Sequence, residues 1–248
     1  PTIEHSSSAS CVGCAFRYGV GMNYVLGARG AIGGVLGRGG AAAAAAGWWL
    51  SGGVSAAYAI AAYQPKGAAS LAASYTNLAN PGTYAAPGVA PTFNTSTGWT
   101  FNGTTQYLTT GIVPAGTWSM FVCFSDGTAA AATVALIGSG RNPDSNAFML
   151  LNAASTSTAW SWAGSFISAT RVTSGVMALA GAVGYLNGSA VGAVSSSFGT
   201  AVDSIYIGAR NYGGPSLYSA CKIQAVAIYD ATLSAAQVAA ISAAMAAL

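Results

Sequence analysis

The stretch CKIQAVAIYDATLSAAQVAAISAAM, residues 221–245, changes character halfway along its length. Up to Tyr229 it alternates and carries β-branched residues, which is typical of a strand. From Leu233 onward, its content of Ala, Gln, Leu, Ile and Met favours a short helix. Ser234 suits the N-cap position, and Gln237 suits the third helical position of a capping box. These residues therefore predict a strand followed by a capped helix.

Short β-prone segments precede this ending, separated by Gly, Asn and Pro. Many strands at such spacing, with turn signals between them, indicate a β-sandwich rather than a parallel α/β sheet. Asn187-Gly188 predicts a hairpin, because both residues can adopt the positive φ angles of a type I′ turn. The predicted strands are 99–102, 106–110, 117–124, 133–138, 147–152, 158–163, 176–186, 189–194, 203–208 and 217–229.

Alternation along these strands predicts which side chains enter the core of the sandwich. Inward positions on two strands are expected at Trp118, Met120, Val122, Phe124, Val226 and Ile228.

Five pieces of the sequence resemble, in order, the concanavalin A-like lectin/glucanase superfamily in its laminin-G-like form. The pieces are GWTFNGTTQYLTTG (98–111), TWSMFVCFS (117–125), GYLNGSAVGAV (184–194), IYIGARN (205–211) and IQAVAIYDATLSAAQVAAI (223–241). The resemblance implies an all-β fold, an antiparallel jelly-roll β-sandwich over residues 68–248 with a short C-terminal helix. More loosely, the chain is similar to lectin-like proteins of tailed phages and metagenomes.

Residues 1–67 differ in kind, because GARGAIGGVLGRGGAAAAAAGWWLSGG is a low-complexity Gly/Ala-rich segment. Such a segment is expected to be an arm that becomes ordered against a partner. Trp48 and Trp49 would be its anchors for assembly, although both could equally tuck back onto their own domain. A membrane span over 39–65 is not expected, because Ala, Gly and Ser insert weakly and SGG interrupts the segment.

The chain has unusually few charges. Of its 248 residues only 5% are charged, and the net charge is +3, whereas roughly 25% is usual for a soluble domain. Such a surface offers little repulsion against self-association, which favours a homo-oligomer or a subunit among other structural subunits. The basic residues are spread along the chain, so nucleic-acid binding is not expected.

The cysteines and acidic residues give little support for a metal or another cofactor, and none is expected. Cys11 and Cys14 form a CVGC motif that favours a disulfide or free thiols over zinc, because His5 is the one other ligand nearby. Cys123 and Cys221 lie in apolar strands as buried thiols, or pair with each other. Calcium would need more carboxylates than Asp126 and Asp144 supply.

Catalytic motifs are also missing from the sequence. The enzymes of the superfamily that the chain resembles present paired carboxylates on one strand, but this chain has a lone Glu4 and four unpaired aspartates. The single His5 lies in a polar tail, which argues against a Ser-His-Asp triad. The sequence therefore predicts that the protein is not an enzyme.

Two non-enzymatic functions remain. The first, which the low charge and the Gly/Ala arm favour, is a self-assembling subunit of a virion or extracellular filament, located at that surface. The second is a carbohydrate-binding module in which sugars stack on aromatic rings and polar side chains bond the hydroxyls. Trp160 and Trp162 could instead pack in the core, and the polar members could simply solvate turns. The candidate glycan-binding residues are Arg141, Asn146, Trp160, Trp162, Asn211 and Tyr212.

Overall fold

The computed structural model describes residues 47–127, 132–141, 144–153 and 157–248. Helix α1 spans Leu71–Ser74 and helix α2 spans Ala235–Ala246, and the remaining regular elements are mainly strands. In chain order the strands are β1 (Ala59–Tyr63), β2 (Ala86–Val89), β3 (Thr92–Asn94), β4 (Gly98–Thr100), β5 (Tyr107–Thr109), β6 (Ser119–Ser125), β7 (Val134–Ser139), β8 (Phe148–Ala153), β9 (Ser157–Trp162), β10 (Ser165–Thr170), β11 (Gly175–Ala180), β12 (Val183–Leu186), β13 (Ser189–Ala193), β14 (Tyr206–Ile207), β15 (Arg210–Asn211), β16 (Pro215–Ser216) and β17 (Lys222–Tyr229).

Within the described residues these strands form two sheets. The first has the order β13-β12-β11-β6-β17-β4-β3, with β1 also paired to β17, and the second has the order β10-β9-β8-β7-β14-β5-β2, extended by β15 and β16. Neighbours in the two orders pair antiparallel, whereas β15 runs parallel to β7. The prediction of an all-β antiparallel sandwich is confirmed. The finer assignment to the jelly-roll topology of the concanavalin A-like superfamily stays a prediction.

The main core lies between the sheets. Met120, Val122 and Phe124 of β6 and Val226 and Ile228 of β17 are buried there, as alternation predicts. Trp118 precedes β6 and is only partly buried against this core. Because the opposite face of β6 is covered as well, the whole segment from Ser119 to Phe124 is buried.

Helix α2 provides that cover. Its Val238, Ile241 and Met245 pack in a second buried cluster with Phe121 of β6 and Tyr229 of β17. The predicted capping box is confirmed, with Ser234 Oγ accepting from Gln237 N and the Gln237 side chain accepting from Ser234 N. A strand followed by a capped helix therefore closes the first sheet on its outer face.

Residues 47–67 belong to the sandwich rather than to an arm. Trp48 is buried in the second cluster, and its Nε1 donates to Gln64 Oε1 at 2.8 Å. Strand β1 pairs with β17, placing Ala61 opposite Ile228, and residues 61–63 are buried. Trp48 thus tucks back onto its own domain, which is one of the two alternatives that the sequence leaves open. Residues 1–46, with Cys11, Cys14 and His5, lie outside the described residues, so their role as an arm stays a prediction.

The β12–β13 hairpin is confirmed. Asn187 and Gly188 have φ angles of 49° and 82°, which are the positive values that a type I′ turn requires. The Asn187 side chain also accepts a hydrogen bond from Val176 N at 2.9 Å, tying the turn to β11.

Cys123 and Cys221 are free and buried, so they do not pair with each other. Burial raises the pKa of the Cys123 thiol to about 11 and that of Cys221 to about 12. No group of three or more potential metal ligands occurs among residues 47–127, 132–141, 144–153 and 157–248. In the same part of the chain, neither α-helix has the length and apolar content needed to cross a bilayer.

Alkaline pH is expected to destabilise the fold. Burial raises the pKa of Tyr63 from 10.0 to about 12, and burial also raises the pKa of Tyr229. The unfolded chain therefore releases these protons at lower pH than the folded chain does, so the stability present below pH 10 is lost as pH rises through 12. Tyr63 alone would account for up to about 3 kcal/mol.

Urea denaturation between pH 8 and pH 11.5 measures this loss. The midpoint should fall steeply above pH 10, and the Tyr63→Phe variant should show a shallower fall because it has no phenol to ionise. An identical decline in the variant and the parent would show that Tyr63 does not contribute.

Candidate functional site

The two predicted tryptophans are buried and do not face solvent. Trp160 and Trp162 are 0% and 2% exposed and lie in the core between the sheets. The Trp162 ring contacts Phe148 and Phe198, at centroid distances of 5.4 and 4.8 Å. Both occupy inward positions of β9, a strand flanked by β8 and β10. Their assignment as glycan-stacking residues is corrected, because neither ring offers a face to solvent.

The two predicted asparagines support loops. Asn211 is buried, its Nδ2 donates to Ser204 O at 2.9 Å, and its Oδ1 accepts from Gly214 N at 3.2 Å. Asn146 donates through Nδ2 to Thr200 O at 3.5 Å. These side chains hold the backbone beside the candidate site, and any contact of theirs with a glycan stays a prediction.

Arg141 and Tyr212 do come together, and the structure adds Arg210 to them. The guanidinium carbon of Arg141 lies 4.9 Å from the centroid of the Tyr212 ring, and that of Arg210 lies 5.6 Å from it. Tyr212 is 43% exposed. Asp144 Oδ2 lies 3.7 Å from Arg141 Nε. We call Arg141, Asp144, Arg210 and Tyr212 the Tyr212 surface.

A tight hairpin positions this surface. Strands β15 and β16 pair across a turn in which Gly213 and Gly214 have φ angles of 61° and 156°, values that favour glycine. The hairpin joins the second sheet because β15 lies parallel to β7 and Gly140 N donates to Asn211 O at 2.8 Å. The residue after Gly140 is Arg141, which thereby reaches Tyr212.

The surface carries an excess of positive charge. Arg210 Nε donates to Ser216 Oγ at 3.1 Å, which fixes the guanidinium. Burial lowers the pKa of Arg210, and the neighbouring charge of Arg141 lowers it further. Among the described residues, the terminal nitrogens of these arginines have no hydrogen-bond partner. Two guanidinium groups and one carboxylate therefore surround a half-exposed ring, with N–H donors available to a ligand.

Two further tyrosines lie on the second sheet, and a third follows β16. Tyr107 of β5 stacks on Tyr206 of β14 at a centroid distance of 4.9 Å, and Tyr218 lies 6.3 Å from Tyr107. Asp203 connects this group to the Tyr212 surface, because its Oδ1 accepts from Gly213 N at 3.2 Å and its charge helps burial to raise the pKa of Tyr206. We call Tyr107, Tyr206 and Tyr218 the tyrosine cluster.

Sequence reasoning missed Arg210 and the tyrosine cluster. The usable signal was the outward position of Tyr107 and Tyr206, since Leu108 and Ile207, the residues that follow them, are buried in the core. Their proximity depends on the pairing of β5 with β14, which a local pattern does not reveal.

Comparisons with known proteins show the fold. No protein-family model and no curated protein matches the sequence. A mutant of Trypanosoma rangeli sialidase displaying trans-sialidase activity is 15% identical, with a TM-score of 0.54 over 77% of this chain and 34% of that chain. Trypanosoma rangeli sialidase in complex with 2,3-difluoro-KDN is 13% identical, with a TM-score of 0.55 over 75% of this chain and 32% of that chain. The present chain thus spans about a third of the length of these sialidases.

A weaker similarity involves a binding module. The CBM40 of Ruminococcus gnavus IT-sialidase, bound to α2,3-sialyllactose, is 15% identical over 52% of this chain and 84% of that chain. Its TM-score is 0.42.

The expectation that the protein is not an enzyme is contradicted by these similarities, because the solved structures with this fold include sialidases. The expectation rested on the absence of paired carboxylates and on a single His5 that argues against a Ser-His-Asp triad. Not every glycoside hydrolase relies on a pair of carboxylates, since sialidases use a tyrosine nucleophile. Counting carboxylates was therefore the wrong basis for excluding catalysis.

Proposed function

We propose that this chain is a lectin-like, carbohydrate-binding domain whose ligand rests on the Tyr212 surface. The observation that carries the proposal is the half-exposed Tyr212 ring, with two guanidinium groups within 6 Å of its centroid. A sugar ring presents an apolar face and a rim of hydroxyl groups. A ligand site for it needs an apolar surface with a few fixed polar groups, and the Tyr212 ring and the arginine N–H groups meet that need.

The tyrosine cluster extends the proposed site. Its stacked rings are half-buried and share Asp203 with the hairpin that carries Tyr212. Tyrosine combines a broad apolar face with a hydroxyl and loses little conformational entropy on binding. An oligosaccharide longer than one unit would therefore extend from Tyr212 toward Tyr206 and Tyr107.

The comparisons support a glycan over other ligand classes. The solved structures named above come from sialidases, and this chain shares their sandwich at 13–15% identity. Assembly into a virion or extracellular filament has no such support. That hypothesis rests on the low charge and on an arm over residues 1–67 with Trp48 and Trp49 as anchors. Residues 1–46 of that arm lie outside the described residues, so the hypothesis stays a prediction together with the location and the oligomeric state.

Replacing Tyr212 with alanine is expected to weaken glycan binding by about 1–3 kcal/mol, the magnitude measured for bases stacked on aromatic side chains. The stability of the domain should fall by no more than about 1–2 kcal/mol, because the ring is at the surface and the variant loses two exposed cation–π contacts. Glycan-array binding followed by calorimetric titration of the strongest ligand measures the loss.

Tyr58→Ala is the matched control. Tyr58 is 47% exposed, close to Tyr212, but it precedes β1 in the first sheet. It should leave binding unchanged. Equal affinity in Tyr212→Ala and the parent chain would contradict the proposed site, and the absence of any bound glycan would contradict the proposed function.

A further inference from the structure

We infer that the sugar bound at the Tyr212 surface carries an anionic group, a carboxylate or a sulfate ester, held between Arg141 and Arg210. This inference rests on the proposed function and adds the chemical class of the ligand.

Arg141 and Arg210 point at the same ring. Their guanidinium carbons lie 4.9 and 5.6 Å from the centroid of Tyr212. Two like charges held together repel each other; burial lowers the pKa of Arg210 most, and the charge of Arg141 lowers it further. A bound anion would remove the repulsion and would interact with both cations at once.

The protein supplies only part of the compensating charge. Asp144 Oδ2 reaches Arg141 Nε at 3.7 Å, a long contact between side chains that are half-exposed. Within the described ranges of the chain, no carboxylate lies within 4.0 Å of Arg210. Lys222 differs, because its Nζ lies 2.6 Å from Asp126 Oδ2. The Tyr212 surface therefore holds two guanidinium groups against one carboxylate, and the next carboxylate, that of Asp203, is engaged with Gly213 N.

Arg210 is also preorganised for an anion. Ser216 Oγ accepts from its Nε, which orients the guanidinium, and among the residues that the structure describes both terminal nitrogens are left for a ligand. A guanidinium matches the oxygen spacing of carboxylates and sulfate-like groups by donating two parallel hydrogen bonds. Such charge-assisted hydrogen bonds are about twice as strong as neutral ones, so they give an anionic sugar an advantage that hydroxyl groups alone do not.

Matched neutral and anionic glycans test the inference. The probes are lactose, 3′-sialyllactose, 3′-sulfolactose and oligosaccharides with or without glucuronic acid, presented on an array to the full chain and then titrated in solution. The anionic member of a pair should bind about tenfold or more tightly, the factor expected for one charge-assisted hydrogen bond. The advantage should shrink as salt rises from 50 to 500 mM, because the surface is exposed to screening.

Arg141→Gln and Arg210→Gln should each reduce the preference for the anionic probes. Lys66→Gln removes the same charge beside β17 of the first sheet, where Lys66 N donates to Gln224 O, and should leave the preference intact. Thermal unfolding of each variant verifies that it is folded. Tighter binding of the sialylated probe would assign the anion as a carboxylate, and tighter binding of the sulfated probe would assign it as a sulfate ester.

Two outcomes would overturn the inference while leaving the proposed function standing. One is equal binding of neutral and anionic glycans that still depends on Tyr212. The other is a preference for anions that survives both arginine replacements. Failure of every glycan to bind would overturn the proposed function and the inference together.

Discussion

Replacing Trp160 with alanine is expected to lower the free energy of unfolding by about 3–5 kcal/mol, the usual cost of truncating a large buried aromatic residue. Trp160 is fully buried on β9, and it packs in the core that also contains Leu150 and Ile167 from the neighbouring strands. The loss arises from the removed contacts and from the cavity that remains. Urea denaturation of the variant and the parent chain measures it.

The comparison with Tyr212→Ala separates packing from ligand contact. Tyr212→Ala should lose affinity with a much smaller loss of stability, whereas Trp160→Ala should lose stability first. A Trp160→Ala variant that is as stable as the parent but binds glycan poorly would contradict the burial of this ring.

Removing Trp48 together with strand β1 is expected to abolish the cooperative fold. A chain that begins at residue 65 lacks the partner of β17 over Val226 to Tyr229, and it lacks the tryptophan that packs beside α2. Domains are stable by only about 5–15 kcal/mol, so losing both the pairing of β1 with β17 and the packing of Trp48 should leave little or no free energy of unfolding. The unfolding transition followed by circular dichroism and tryptophan fluorescence measures the effect.

A chain that begins at residue 47 is the matched control and should unfold cooperatively. If the chain that begins at residue 65 kept the same transition, the assignment of residues 47–64 to the sandwich would be wrong. The two chains together locate the N-terminal boundary of the folded domain, which the sequence alone placed after residue 67.

Several features of the fold could be predicted because their causes are local. Ser234 and Gln237 form a capping box within one turn of helix, and Asn187-Gly188 forms a hairpin because of the φ angles that these two residues tolerate. Strand β6 was predicted from its own alternation. Each of these inferences needs only neighbouring residues.

Other features depend on contacts between distant parts of the chain. Strand β1 has the sequence AIAAY, and its small residues resemble the low-complexity segment before it. Its identity as a strand depends on its pairing with β17, which is far away in the sequence. Alternation places Trp160 and Trp162 on one face of β9 but does not say whether that face is inside. Sequence alone therefore left both tryptophans open to either role.

Only part of the candidate site could be predicted, because its residues meet through contacts between distant parts of the chain. Arg141 and Tyr212 were named from the sequence as loop residues of the right chemistry. Their contact, and the addition of Arg210, requires β15 to pair with β7. This parallel pairing has no signature in either segment by itself.

The most direct test of the proposed site maps the residues that a bound glycan contacts. The strongest ligand from the array is titrated into isotopically labelled protein while the backbone amide resonances are recorded. We predict that the largest changes in chemical shift occur at Tyr212, Gly213 and Gly214, and that smaller changes occur at Arg141. Shifts centred instead on the hollow lined by Gln64, Ser74 and Thr76, or no shift with any glycan, would contradict it.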